Sequence, residues 1–125
     1  MASCVQIITI VEKLLVTIDI KPGSNPNGIK VGDKNGLIPV AILTTGSFDA
    51  RTVDPSTVKC GPGNAKATRS VLQDVDNDGD LDLLLFFKIG ETNIVCGQTS
   101  ATLKGETFGG TKIEGSDSIK TVPCK

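Results

Sequence analysis

The chain has no histidine, no tryptophan and no tyrosine, and phenylalanine occurs only four times. Without histidine a Ser-His-Asp site is impossible, and the commonest general base and zinc ligand are gone. Without Trp or Tyr the best sugar-stacking rings are missing, which weighs against glycoside hydrolysis despite the many carboxylates. Charge of one sign is also missing: the net charge is -1 over 125 residues, with no basic run to attract nucleic acid. No apolar stretch reaches the length of a membrane span, because Glu12 and Lys13 interrupt the longest N-terminal one. Met1-Ala2-Ser3 has no positive charge and no small-residue cleavage site follows, so no signal peptide is legible and the start reads as a mature end. These absences point away from enzymes, and the expectation is a non-catalytic protein.

What is present is strand and turn. LLVTIDI (14–20), LIPVAILTT (37–45), TVKC (57–60), RSVLQDV (69–75), LDLLLFFKI (81–89), TSATLKGETF (99–108) and SIKTV (118–122) are short and rich in β-branched residues. Turn chemistry separates them: KPGSNPNG at 21–28, GDKNG at 32–36, GPGN at 61–64 and Gly109-Gly110. Apolar residues alternate or run on, with no helical period, and there is no internal repeat or linker. The expected fold is all-β, a single antiparallel β-sandwich, Ig-like or jelly-roll-like, with a protruding N-terminal strand. Residues 1–13 read as an extension and 14–125 as the domain.

DVDNDGDLD, residues 74–82, is the strongest chemical signal. Asp74, Asp76 and Asp78 alternate, Gly79 supplies a sharp turn, and Asp80 and Asp82 follow, in the pattern of the first nine positions of a Ca²⁺ loop. Five aspartates so close together repel one another unless a cation is shared. Asp80 is expected to offer its backbone carbonyl and Asp82 a direct or water-mediated contact. The twelfth position is Leu85 and not a bidentate Glu, and a strand follows in place of a helix, so this is a strand-flanked loop in which Ca²⁺ does structural work. Other single acids near turns, such as Asp19, Asp33 and Asp117, are given no ligand role.

The cysteines, Cys4, Cys60, Cys96 and Cys124, are spread along the chain without a C-x-x-C pair, which argues against a zinc ribbon. An even, scattered set suits disulfides and an oxidising compartment, with buried free thiols as the alternative.

IDIKPGS (18–24), PNGI, GLIPVAILTT, FDARTVDPSTV, LQDVDNDGDLDLLL, the Cys96-Gly97 step, ATLKGETFGG and IEGSDSIKTV together resemble a β-sandwich domain of many secreted bacterial and archaeal proteins. The resemblance covers roughly residues 16–124. It implies export to the extracellular space or cell surface, a calcium loop and no catalysis, and it implies that Cys96 pairs with Cys124.

SCVQIITIVEKLLV, residues 3–16, falls outside that pattern. Val5, Ile7 and Val11 lie on one face of an extended segment and Ile8 and Ile10 on the other, so both faces want burial. No Gly, Pro, Asn or Asp separates the segment from LLVTIDI, and no hairpin folds it back. About ten residues at about 3.3 Å each would project roughly 33 Å. The expectation is a donor strand, Val5 to Val11, that adds to a neighbouring copy's sheet and makes a head-to-tail filament. Cys4 is then expected to lock it through Cys60 of that neighbour, with a bond inside one chain as the alternative. The competing function is a calcium-stabilised accessory or binding module of a larger secreted protein.

Overall fold

A computed structural model describes residues 13–23 and 28–122. Its strands are β1 (Lys13–Leu15), β2 (Ile18–Ile20), β3 (Gly28–Lys30), β4 (Leu37–Ile42), β5 (Val53–Cys60), β6 (Ala65–Gln73), β7 (Asp82–Lys88), β8 (Ser100–Thr107), β9 (Lys112–Ser118) and β10 (Lys120–Val122). A 3-10 turn at Ala50–Thr52 and a single helical turn, α1 (Ile89–Thr92), are the helical pieces among the described residues. The protein is all-β, as its punctuation of strand by turn requires.

Eight strands form one sheet in the order β1-β9-β8-β5-β6-β7-β4-β2, and β10 pairs with β3. Two pairings depart from the expected antiparallel arrangement: β1 runs parallel to β9, and β10 parallel to β3. No hairpin links either pair, so no turn forces them antiparallel. The result is a large, curled, mixed sheet.

The curl has two causes. Lys66 and Ala65, at the start of β6, pair with β5, whereas Ala67 to Gln73 pair with β7, and the register shifts between Ala67 and Arg69. A strand that changes partner at an irregularity turns a corner. At the other end, residues 13–20 pass from β9 to β4. The Val16 amide donates to the Glu114 carbonyl at 2.9 Å, the Leu43 amide to the Thr17 carbonyl at 2.9 Å, and the Ile20 amide to Asp117 Oδ2 at 3.0 Å. LLVTIDI is therefore two short strands, broken at Val16-Thr17 where the chain changes sheet edges. Gly115 allows this crossing, because a Cβ there would meet Ile18 Cγ2 at 2.7 Å and the Val16 carbonyl at 2.8 Å.

The core lies inside the curl. Ile18, Val40, Ile42, Leu83, Leu85 and Phe87 come from one side and Val53, Val58, Cys60, Leu103 and Ile113 from the other. Each large aliphatic or aromatic side chain fully buried there contributes about 1.5–3 kcal/mol. The unbroken apolar run of β7 also has a reason: it pairs on both edges, with β4 and β6, and Leu84 on its outer face is 8% exposed. That outer face carries a shallow depression lined by Pro22, Pro39, Val75 and Leu84, so the turn after β2 and the acidic loop flank the same surface.

Candidate functional site

The acidic loop joins the end of β6 to the start of β7. Asn77 (φ 58°) and Gly79 (φ 92°) both adopt the left-handed conformation, which coils residues 74–80 into a tight turn; glycine takes that conformation without the strain a side chain would add. Asp74 stitches the turn together, its Oδ1 accepting from the Asp78 amide at 3.2 Å and its Oδ2 from the Gly79 amide at 3.0 Å. Asp78 Oδ1 accepts from the Asp80 amide at 2.9 Å.

Asp82 closes the group from below. It is fully buried, and its two oxygens accept from the Thr44 amide at 2.8 Å and the Val75 amide at 3.0 Å. Thr44 in turn donates from Oγ1 to the Leu81 carbonyl at 2.6 Å and accepts from the Ala50 amide at 2.9 Å. The end of β4, the 3-10 turn and the loop are thus one hydrogen-bonded unit. The composition around Thr44 gave no sign of this role, because a threonine at a strand end is an ordinary occurrence and its partner lies 38 residues away.

One carboxylate oxygen from each of Asp74, Asp76, Asp78 and Asp82 lies within 4.8 Å of all the others. Oxygens held about 2.3–2.6 Å from a common Ca²⁺ are at most about 5 Å apart, so the four carboxylates fit one such ion and the cluster could hold a metal ion. Asp80, expected to offer its backbone carbonyl, brings no carboxylate to this group; the charge of its side chain is felt by Arg51. The electrostatics show the crowding. Loss of hydration, then the charges of Asp82 and its neighbours, push Asp76 up to about 6. Asp74 loses hydration too, but the amides of Gly79 and Asp78 hold its carboxyl below the usual range. Hydrogen bonding to the charged form and like-charge repulsion have pulled two adjacent aspartates apart.

Cys60 is a free thiol in this chain and only 2% exposed, and burial pushes it up to about 12. Cys96 is disulfide-bonded. Its expected partner Cys124, together with Cys4 and the donor-strand residues Val5, Ile7, Ile8, Ile10 and Val11, lies outside the described residues. No helix among the described residues is long and apolar enough to cross a membrane.

No family model, curated protein or solved structure matches the chain.

Proposed function

We propose that this protein is the structural subunit of an extracellular filament, assembled head to tail by its N-terminal strand, held together by Ca²⁺ in the 74–82 loop and by a Cys96–Cys124 disulfide, and without catalytic activity. The observation that carries the reading is the register of β1. Lys13 stands beside Lys112, the first residue of the parallel strand β9. Before Lys112 the chain turns at Thr107–Thr111, where the Gly110 amide donates to the Thr107 carbonyl at 2.9 Å. A strand continuing ahead of Lys13 in the same register therefore runs past the end of its neighbour. The apolar segment from Val5 to Val11 precedes this point with no turn residue between, and a sheet edge on another copy would satisfy its backbone and bury its side chains. Burying those five residues offers a gross gain on the order of 10 kcal/mol, enough to offset the ordering of an extended segment.

Sedimentation and electron microscopy of the full chain, beside a form lacking residues 1–12, test the proposal. Long polymers from the full chain and none from the shortened form are expected. A full chain that sediments as a uniform monomer overturns it and leaves the calcium-stabilised accessory module.

A further inference from the structure

Strand pairing on the outer side of β6, β5 and β8 sets three lysines in a line. Lys66 stands directly opposite Lys59, and Lys59 directly opposite Lys104. The adjacent residues Ala65, Cys60 and Leu103 are buried in the core, so strand alternation turns all three lysines outward. Directly opposed side chains have Cβ atoms about 4.5–5.5 Å apart, and like charges at that spacing repel. The fold gains nothing from such a row.

The row is only partly offset, the charge of Lys104 reaching Glu114. None of the three lysines is in an ion pair among the described residues. Glu114, opposite Lys104 on β9, is held by Lys13 at 2.8 Å, and Glu106 by Lys112 at 3.1 Å. The face thus sets five lysines against three acids, Glu106, Glu114 and Asp54, the last directly opposite Glu106, on a chain whose net charge is -1. Two adjoining depressions of about 390 and 580 Å³ share Lys59, Asn64 and Lys104. Gln98, Ser100 and Thr102 line the second one with amide and hydroxyl groups.

We propose that this face binds a linear acidic polysaccharide carrying one carboxylate per sugar. From Lys66 to Lys104 the row spans two strand spacings, about 9.4–9.8 Å, which is about the distance between every second carboxylate of a twofold uronan chain, the set that faces one side. The two outer ammonium groups therefore meet two such carboxylates, and Lys59 lies between them. The amides and hydroxyls beside the row suit the ring hydroxyls. No aromatic residue lines either depression, so a neutral glycan has no stacking plate and a single-stranded nucleic acid no platform for its bases. The inference holds whether or not the chain polymerises.

Titration of the full chain with short oligogalacturonates at low salt, beside dextran and single-stranded DNA of similar charge, tests it. Binding to oligogalacturonate, none to dextran and weaker binding to DNA are expected, with affinity falling as salt rises. The variant K59Q/K66Q/K104Q is expected to lose about tenfold or more in affinity while melting no lower than the parent, since it relieves repulsion. Lysine acetylation provides a readout without substitution: oligogalacturonate should protect Lys59, Lys66 and Lys104 and leave Lys30 reactive. Undiminished affinity in the triple variant, protection spread evenly over all lysines, or DNA bound more tightly than the uronate would each overturn the proposal.

Discussion

The Thr44 amide donates to the buried carboxylate of Asp82 at 2.8 Å, across 38 residues of sequence. The same carboxylate holds the Val75 amide and faces three other aspartates. A single side chain therefore joins the acidic loop, the start of β7 and the end of β4, so whatever happens at the loop is felt in the sheet.

Replacing Asp82 separates its two duties. Asp82→Ala leaves two amides without their acceptor, each costing about 1–3 kcal/mol, so urea unfolding should show a loss of about 2 kcal/mol or more even in chelator. Asp82→Asn keeps one acceptor oxygen and should fall between the two. A D82A protein as stable as the parent would mean that Thr44 and Val75 find other partners.

Chelation should lower the melting temperature and added Ca²⁺ should restore it, because a ligand that binds only the folded form at about 100 times its Kd adds about 2.7 kcal/mol. The chelated protein should also show a particular pH dependence. The carboxyl of Asp76 rises from 3.8 to about 6 on folding, so the folded form binds its proton more tightly than the unfolded chain. That contribution is fully present below about pH 3.8 and is lost as the pH rises through about 6. In chelator, Asp76→Asn should therefore stabilise relative to the parent above pH 6 and lose that advantage near pH 4. Parallel stability curves for parent and D76N would contradict the crowding read from the loop.

Gly115→Ala should destabilise by about 1–3 kcal/mol, since the new methyl meets Ile18 Cγ2 and the Val16 carbonyl where the chain crosses between sheet edges. Hydrogen exchange should quicken most at Val16 and Ile20, whose amides are bonded across that crossing. Uniform exchange with an unchanged melting point would show that the crossing relaxes freely.

Cys60 should resist thiol reagents at neutral pH, because burial both shields the sulfur and pushes its thiol up to about 12. Labelling followed by peptide mapping should find Cys60 modified only at the rate of global unfolding. Rapid labelling of the native protein would show that the sulfur reaches solvent.

Much of the sheet was legible because its strands carry their own signal. LIPVAILTT, LDLLLFFKI and TSATLKGETF overlap β4, β7 and β8, and four of the five loop aspartates meet where their alternation with Gly79 says they should. β9 was missed because KIEGSDS has only one large apolar residue, Ile113; its partners, β8 and β1, make it a strand. β3 was hidden in turn chemistry for a similar reason, since Gly28-Ile29-Lys30 is held by pairing with β10. The parallel pairings were illegible because register between segments a hundred residues apart is fixed by tertiary packing. Thr44 belongs to the same class of contact.

The parallel pairing of β1 with β9 decides how the molecule bears load. A pull along the N-terminal direction drags Lys13–Leu15 lengthwise past Lys112–Glu114, so the interstrand bonds are strained together in shear and do not peel open one by one. The Lys13–Glu114 ion pair and the Val16–Glu114 hydrogen bond lie along the same line and share the strain. Tension on this end is passed along the length of β9, whereas an antiparallel hairpin pulled from its open end would unzip.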